Sequence, residues 1–382
     1  MLPCQKSHFS LPDDEHYLNC AYMSPLSAAV EAAGVAGVAR KRVPSSLATS
    51  DFFTGAQHAR ELFARLVHAP DPSRIAIVPA ASYGLAIAAR NLPVGVGQNI
   101  VVTHEQFPAN LHVWRKLAAT RQVELRTVRP PETAEGRGRE WNARLLEAID
   151  ARTAVVALGH VHWTDGTRFD LEAVAARARA AGAALVIDGT QSVGALPFDV
   201  AAVQPDALVC ATYKWLMGPY SLGFAYLGPR FDDGEPLEET WIGRAGSENF
   251  KDLVNYRDDY QPGAIRYDVG ERSNFALMPM AIAALEQVLE WQPARVQEYC
   301  AALTAELFDR VRALGFTVET PEYRGAHLFG LRAPAGTDIA AVGERLRARK
   351  VHVSLRGSAI RVAPHVYNDA RDLDALVAAL AP

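Results

Sequence analysis

The sequence predicts an α/β fold, with a mostly parallel seven-stranded sheet in a large domain and a small α+β domain at the C-terminus. Seven short, nearly continuous apolar runs lie between residues 74 and 228, and helical patterns separate several of them. Such alternation is typical of a parallel sheet covered by helices on both faces. After residue 275 the rhythm changes to long helical patterns followed by short strands, which predicts the second, smaller domain.

The elements of the large domain follow in chain order. The predicted strands are short runs of mainly aliphatic residues, at 74–80, 99–104, 123–128, 154–161, 183–188, 206–212 and 223–228. The predicted helices have apolar residues spaced for one buried face, at 26–42, 53–68, 83–92, 109–120 and 170–181. The stretch 129–139, RPPETAEGRGR, is polar and contains Pro and Gly, so it is predicted to be a surface loop between two elements.

The C-terminal part of the chain predicts its own set of elements. Its helices are expected at 278–290, 295–314 and 370–380, and its strands at 316–319, 327–331, 351–355 and 359–362. We therefore divide the chain into a large domain at 26–270 and a small domain at 271–382. Residues 1–25 have no apolar pattern that would give them a core, so we expect this segment to pack with the small domain.

Composition and charge exclude several classes of protein. Hydrophobic residues make up 49% and charged residues 21% of the 382 residues, as in ordinary globular proteins. The net charge of −4 does not favour nucleic acid or an anionic membrane as a partner. The four cysteines, at 4, 20, 210 and 300, lie far apart without metal-ligand spacing. With no signal-peptide pattern and no apolar run long enough to span a bilayer, we expect a cytoplasmic protein without a metal.

The residues that follow the predicted strands are the first candidates for a functional site, because ligands bind beyond the carboxyl ends of parallel strands. Ser82 opens a helix after the first strand, Phe107 follows the second, and Asp188 and Lys214 end two later ones. Several of these have an ordinary structural explanation. Ser82 suits a helix cap, Asp188 precedes a glycine as turn formers do, and a lysine at a strand end is often simply solvated.

Together, these four residues match the needs of one cofactor, pyridoxal 5′-phosphate (PLP). PLP needs a lysine for a Schiff base, a carboxylate beside its ring nitrogen, a phosphate cup and a flat group over its ring. Lys214, Asp188, Ser82 and Phe107 offer one of each. Lysine also suits this chemistry because burial and neighbouring cations lower its pKa. The pairing of Lys214 with an upstream strand-end Asp188 favours the functional interpretation over the structural ones.

Four stretches resemble the class V aminotransferase family of fold type I PLP enzymes, which includes cysteine desulfurases, isopenicillin N epimerase-like proteins and kynureninase. These stretches are LVIDGTQSVGALPFDV, ATYKWLMGP, HEQFPANLHVW and IRVAPHVYND. The resemblance covers nearly the whole chain. It implies a fold type I enzyme, usually a homodimer with shared active sites, that acts on an amino-acid substrate.

The resemblance assigns roles to individual residues. It implies that Lys214 is the Schiff-base lysine, that Asp188 pairs with the pyridinium nitrogen and that Phe107 stacks on the ring. Gln191 matches the residue that hydrogen-bonds the phenolic oxygen. Arg361 matches the arginine that holds the α-carboxylate of the substrate in a bidentate grip.

The phosphate contacts come from several segments in this family. Ser82 and the backbone N–H groups near it, including that of Ala81, match the phosphate cup. Thr212 or Tyr213 would supply further hydroxyls. The partner subunit of family members adds contacts from two segments, which match 241–244 and 270–274 here. These segments contain the remaining predicted contacts, Trp241 and Ser273.

The chain also departs from the family pattern. Desulfurases need a mobile cysteine shortly before the carboxylate-binding arginine, and RKVHVSLRGSAIRVAP has none, so this activity is disfavoured. Kynureninase has a longer chain and a different Asp-x-x-His motif, so that activity is disfavoured too. Trp163 stands where many desulfurases have asparagine, either as a pocket wall or in ordinary packing. Arg272 lies in an unusual GERSN sequence and could contact substrate or phosphate.

The reaction type is open among three possibilities. We favour an aminotransferase, with a lyase that eliminates a β- or γ-substituent and an amino-acid epimerase as alternatives. A non-catalytic fold relative is disfavoured because Lys214 and Arg361 are both present, and a nucleotide-binding oxidoreductase because no Gly-x-Gly-x-x-Gly follows a strand. A second acid–base group could be any of Tyr22, His160, His162 and Tyr220. The substrate side chain could meet any of Tyr22, Trp163, Arg244, Arg272 and Arg324.

Overall fold

The centre of the molecule is a seven-stranded sheet. A computed structural model describes residues 2–133, 135–356 and 359–381. The strands, in chain order, are β1 (His16–Tyr17), β2 (Ile75–Val78), β3 (Asn99–Thr103), β4 (Glu124–Val128), β5 (Thr153–Gly159), β6 (Ala184–Asp188), β7 (Ala207–Ala211), β8 (Gly223–Leu227), β9 (Phe329–Arg332), β10 (Val351–His352), β11 (Ser354–Arg356) and β12 (Ala359–Val362). The central sheet has the order β2-β8-β7-β6-β5-β3-β4. All seven strands predicted for it are confirmed.

Most neighbouring strands of this sheet are parallel. β3 pairs in parallel with β4 and β5, and β6 pairs in parallel with β5 and β7. β8 runs antiparallel to both β2 and β7. Alternate residues of a strand enter opposite cores: Val156 and Leu158 pack on one face, and Val155 and Ala157 on the other. Burial on both faces explains why the strands are apolar without alternation.

Helices cover the sheet and build the C-terminal part of the chain. In chain order they are α1 (Ala28–Arg40), α2 (Thr54–Leu66), α3 (Ala81–Asn91), α4 (Ala109–Arg121), α5 (Arg137–Ala148), α6 (Leu171–Ala181), α7 (Val200–Val203), α8 (Leu277–Trp291), α9 (Pro293–Ala313), α10 (Ile339–Ala348) and α11 (Ala370–Leu380). The helices predicted between 26 and 181 are confirmed, as are the two long helices after 275 and the final one. Nothing in the described part of the chain forms a helix both long and apolar enough to cross a bilayer.

The structure differs from the sequence prediction in three places. The strand expected at 316–319 is absent, and only Thr317 pairs there, in an isolated bridge with Arg332. The apolar residues of that run pack into a core instead of forming a ladder. The loop expected at 129–139, of which residue 134 lies outside the described residues, ends where α5 begins, since Trp141 and Leu145 give this helix a buried face. The strand expected at 351–355 is divided into β10 and β11.

The C-terminal elements form a separate antiparallel sheet in the order β11-β12-β9. This sheet packs on α9, α10 and α11 around its own hydrophobic core. The N-terminal residues contact the same region: β1 pairs with β10, and Asn19 forms a bridge with Ala363. The domain boundaries after 25 and 270 remain predictions.

Candidate active site

The carboxyl ends of the central strands meet at a cavity of about 250 Å³. β6 lies between β5 and β7, so that Asp188 is opposite Gly159 on one side and Val209 on the other. Lys214 follows the end of β7, and its side chain lines the cavity together with Asp188. The other predicted site residues on this lining are Ala81, Ser82, Phe107, Trp163, Gln191, Tyr213 and Tyr220.

Lys214 is almost completely buried, with 6% of its surface exposed. Burial lowers the pKa of its amine to about 8; the charge of Asp188 opposes this shift and that of Arg361 adds to it. The Nζ atom lies 5.4 Å from the ring centroids of both Phe107 and Tyr213. Because only the neutral amine is a nucleophile or a base, this environment makes Lys214 more reactive near pH 7 than a solvated lysine.

The lowered pKa of Lys214 predicts a pH dependence of cofactor attachment. The Schiff base that the sequence predicts for Lys214 would need its neutral amine, so the rate at which PLP attaches to the apoprotein should rise toward pH 8 and level off above it. Below that value, each pH unit should lower the rate about tenfold. Stopped-flow absorbance from about pH 6 to about pH 10 measures this rate, with N-acetyl-lysine as the solvated reference. A rate that still climbs at the upper limit would contradict the prediction.

Asp188 is also buried, with 7% of its surface exposed. Loss of hydration raises the pKa of its carboxyl, although hydrogen bonds from Thr190 and the charge of Lys214 act against this. The backbone N–H of Thr190 donates to Oδ1 at 3.0 Å and fixes the orientation of the carboxyl group. A buried carboxylate is stabilised by a cationic partner, and a protonated pyridine nitrogen has the right charge for that role.

The first turn of α3 forms another wall of the cavity. The helix begins at Ala81 with Ala80 at the N-cap, so the interpretation of Ser82 as a capping residue is wrong. Backbone N–H groups in the first turn of a helix have no partner within the helix and attract anions. Gly84 lets this turn lie against β7, because a Cβ at that position would be only 2.7 Å from Cγ1 of Val209. The arrangement suits a phosphate group.

Gln191 and Thr212 differ in how their polar groups are used. The Gln191 amide donates to the carbonyl of Ala21 at 3.1 Å and accepts from the indole N–H of Trp215 at 3.0 Å. It is therefore held in place at the cavity wall. The Thr212 hydroxyl donates to the Leu222 carbonyl at 2.9 Å across the loop between β7 and β8, and Thr212 is absent from the described lining of the cavity.

Arg361 is buried and absent from the described lining of the cavity, but it contacts Trp163, which is on that lining, and three neighbours orient it. It donates to the carbonyl of Trp163 at 2.8 Å, to the hydroxyl of Ser354 at 3.0 Å and to the side-chain oxygen of Asn19 at 3.4 Å. Its Nε atom is buried and has no hydrogen-bond partner among the described residues. Three of the five N–H donors of the guanidinium are thus used by these neighbours, and two remain for a ligand such as a carboxylate.

Several predicted residues lie away from the cavity. Trp241 and Ser273 surround a separate surface hollow, as does Arg272. Arg272 is buried and donates to Asp268 at 2.6 Å, and Asp268 also pairs with the buried Arg60. The guanidinium of Arg272 is thus held in an ion-pair cluster and does not reach the cavity.

The remaining candidates for the substrate pocket and for the second acid–base group also lie elsewhere. Tyr22 is exposed and does not line the cavity. Burial lowers the pKa of His160 to about 3 and also lowers that of His162, and neither side chain is on the lining. Arg244 pairs with an exposed glutamate, and Arg324 lies over a phenylalanine ring at 4.0 Å.

The sequence interpretation missed residues that the fold brings to the site. Gln106 lines the cavity, and its buried amide nitrogen has no hydrogen-bond partner among the described residues. Asn19 and Ser354 orient Arg361. Arg356 lies over the ring of Trp163 at 5.2 Å. Ser354 and Arg356 are two positions apart on the strand that pairs with the strand of Arg361, so they share a face of the sheet. This alternation is a signal that could have identified both.

The residues present fit PLP. The unpartnered amide of Gln106 and the first turn of α3 offer donors to an anionic, oxygen-rich ligand. Lys214 offers an amine of lowered pKa and Asp188 a buried carboxylate on the same cavity. The aromatic ring of Phe107 stands at the cavity beside Lys214. Together they match the aldehyde, phosphate, ring nitrogen and flat ring of the cofactor.

Comparison with known proteins identifies the family. The aminotransferase class-V family model matches residues 37–376. The isopenicillin N epimerase of Streptomyces clavuligerus is 25% identical over 332 residues, which cover 84% of this chain and 83% of that protein. A kynureninase of Pseudomonas fluorescens is 30% identical over 271 residues, which cover 68% of this chain and 60% of that protein.

Solved structures match the fold over nearly the whole chain. A C-DES mutant with glycine covalently linked to its PLP cofactor has a TM-score of 0.84 at 18% identity, covering 98% of both chains. The cysteine desulfurase CsdA of Escherichia coli has a TM-score of 0.80 at 19% identity, covering 98% of this chain and 96% of its own. Because the family model spans most of the sequence and the fold agrees, the chain belongs to the class-V aminotransferase family of fold type I enzymes, with pyridoxal 5′-phosphate as its cofactor.

Proposed function

We propose that this protein is an aminotransferase that acts at the α-carbon of an amino acid, with Lys214 moving the proton. The observation that carries this proposal is that Lys214 is the one basic side chain on the described lining of the cavity. Its pKa of about 8 lies near the range in which a general base is most effective at neutral pH. Transamination requires a single group of this kind.

Each proposed role follows from the chemistry of the side chain. Bound PLP supplies an electron sink for the charge that develops at the α-carbon when its proton leaves. Asp188 provides a buried negative charge that keeps the ring nitrogen protonated. Arg361 holds the α-carboxylate of the substrate. Lys214 Nζ takes the proton from the α-carbon. It returns the proton on the same face, to the carbon bonded to the other side of the substrate nitrogen.

Epimerisation is less well supported, because it needs a second acid–base group on the opposite face of the substrate. Besides Lys214, the described lining has three ionisable side chains, those of Asp188, Tyr213 and Tyr220. Asp188 is assigned to the ring nitrogen. Burial raises the pKa of Tyr213, and Tyr220 is largely exposed and packs on Tyr213 at a centroid distance of 4.7 Å. His160 is off the lining.

A lyase is the second candidate, since elimination of a side-chain substituent also needs one base. The chain is similar to a kynureninase and, at 28% identity over 254 residues, to the cysteine desulfurase of Pectobacterium atrosepticum. The described lining of the cavity contains no cysteine that could serve a desulfurase mechanism. Cys20 lies 3.9 Å from the Lys214 carbonyl, but burial raises the pKa of its thiol to about 12, so it does not ionise near neutral pH.

Product analysis tests the proposal. The purified holoenzyme is mixed with a panel of amino acids while the visible absorption of the cofactor is recorded, and products are identified by mass. Transamination leaves the cofactor in its amine form with one equivalent of keto acid. An intact cofactor with keto acid and free ammonia would instead establish a lyase, and an inverted amino acid would establish an epimerase. Either of these two results would overturn the aminotransferase assignment.

We also propose a cytoplasmic homodimer with shared active sites and the domain division at 25 and 270. An aromatic cluster at the surface, including partly exposed side chains, supports an interface between two copies. Its members are Phe52, Phe53, Trp241, Phe250 and Phe275. Trp241 and Ser273, which the family resemblance assigns to the site of the partner subunit, surround the hollow beside this cluster. A monomer mass measured by light scattering on fully active enzyme would contradict the proposed dimer.

A further inference from the structure

The strand pair that carries Arg361 also carries a second arginine on the same face. In the β11–β12 register, Ser354 is opposite Arg361 and Arg356 is opposite Ala359. Directly opposed residues share a face of a sheet, and so do residues two apart on one strand. Arg356 therefore projects from the same face as Arg361, displaced by about 7 Å along the strand.

Arg356 has no charged partner among the described residues, and it donates to the carbonyl of Leu355 at 3.0 Å. Its guanidinium lies 5.2 Å from the ring centroid of Trp163, the residue whose carbonyl accepts a hydrogen bond from Arg361. Its Nε atom is buried and has no hydrogen-bond partner among the described residues. Burial is the main cause of the lowered pKa of both Lys214 and Arg361, and the positive charge of Arg356 adds to the shift of each. Arg356 is thus close to the site and has donors to spare.

Arg356 opens onto a hollow of about 430 Å³ beside the catalytic cavity, and the two spaces share Gln106 and Trp163 on their walls. The hollow has three arginines and two carboxylates on its described lining, Arg137, Arg332, Arg356, Glu105 and Asp165. The carboxylate of Asp165 forms ion pairs with two of the arginines, Arg137 and Arg332. Glu105 lies exposed at the rim. The described lining of the hollow therefore has one more arginine than it has carboxylates, and Arg356 is the arginine without a carboxylate partner there.

We propose that Arg356 binds an anionic group at the end of the substrate side chain, so that the substrate is an amino acid with a distal carboxylate or a similar oxyanion. Arg361 takes the α-carboxylate, and the Trp163 ring packs against the apolar carbons between the two anionic groups. This inference rests on the proposed function, because it assumes that Arg361 and Lys214 act on an amino acid. The planar guanidinium matches a carboxylate with two parallel hydrogen bonds.

The first test measures binding alone and does not depend on turnover. Glutarate and its monoamide, glutaramate, have the same length and differ in one terminal charge. Titration of each into the holoenzyme, followed by the visible absorption of the cofactor, gives two dissociation constants. We expect glutarate to bind roughly 10- to 100-fold more tightly than glutaramate, and R356Q to lose most of this preference. R356K should recover part of it, since lysine keeps the charge but not the planar fork.

Turnover provides the second readout. In the wild-type enzyme the ratio of kcat/KM for glutamate to that for glutamine should exceed unity by a similar factor, and in R356Q it should fall toward unity. R347Q is the matched control, because Arg347 is an exposed arginine on the neighbouring α10. It removes the same charge and should leave both preferences unchanged.

The outcomes separate this inference from the proposed function. A glutarate preference that persists in R356Q overturns the assignment to Arg356, as does an equal loss in R347Q. Transamination of neutral amino acids without any glutarate preference overturns the inference while the proposed function stands. A glutarate preference that depends on Arg356 in a protein that transaminates nothing supports the anion site and overturns the proposed function.

Discussion

Replacing Lys214 with alanine is expected to lower kcat/KM by roughly 10³-fold or more. The substitution removes the amine that is proposed both to bind the cofactor covalently and to move the proton. Because Lys214 is buried beside Asp188 and Phe107, water entering the space cannot reproduce a positioned amine of lowered pKa. Steady-state kinetics on the best substrate of the amino-acid panel measures the loss.

The Lys214→Ala protein should also lose the visible absorption that arises from the bond between lysine and cofactor. PLP can still bind noncovalently through the first turn of α3. The variant should therefore bind PLP, but dialysis should remove it. Lys251→Ala is the control, since Lys251 is an exposed lysine in the same part of the chain. A Lys214→Ala protein with more than a tenth of the wild-type rate would show that another group carries the chemistry.

Replacing Asp188 with asparagine should lower kcat by roughly 10²- to 10³-fold, a loss typical of removing one electrostatic group from an active site. Asparagine has nearly the same shape and can still accept the hydrogen bond from Thr190. It carries no negative charge, so it cannot hold a proton on the ring nitrogen. Since Lys214 is intact, the visible absorption of the bound cofactor should persist while turnover falls.

The control for Asp188→Asn is Asp170→Asn. Asp170 is an exposed N-cap residue of α6 whose side chain accepts from the backbone N–H of Ala173, and asparagine caps helices about as well as aspartate. Its activity should equal that of the wild type. If Asp188→Asn retains full kcat but binds PLP weakly, the carboxylate serves in binding alone, and its proposed electronic role is wrong.

The central sheet could be predicted from the sequence because each of its strands has a simple cause. A strand such as β7, buried on both faces, must be apolar along its whole length, and the pattern ALVCA can be read without any other part of the chain. Asp188 and Lys214 were identifiable for the same reason, since charged residues at the ends of such strands are conspicuous. The local sequence pattern was therefore sufficient to predict the strands that are buried on both faces.

The remaining parts of the site depend on contacts between distant segments, which no local pattern contains. Arg356 is placed at the site by its contact with the ring of Trp163, which lies in the turn after β5. The resemblance implies a phosphate contact from Thr212 or Tyr213, but the Thr212 hydroxyl donates to the Leu222 carbonyl just before β8. Arg272 was assigned to substrate or phosphate, and its partner is Asp268. In each case the tertiary fold determines which partner the polar group contacts.

The contact of Asn19 with Arg361 has a consequence for the timing of activity during synthesis. The two residues are 342 positions apart, so one of the earliest parts of the chain to leave the ribosome waits for one of the last. At about 5–20 residues per second, that interval is roughly 17–70 s. Lys214 and Asp188 are made well before its end. The carboxylate-binding role proposed for Arg361 therefore requires nearly the whole chain, whereas the strands that precede Asp188 and Lys214 are synthesised much earlier.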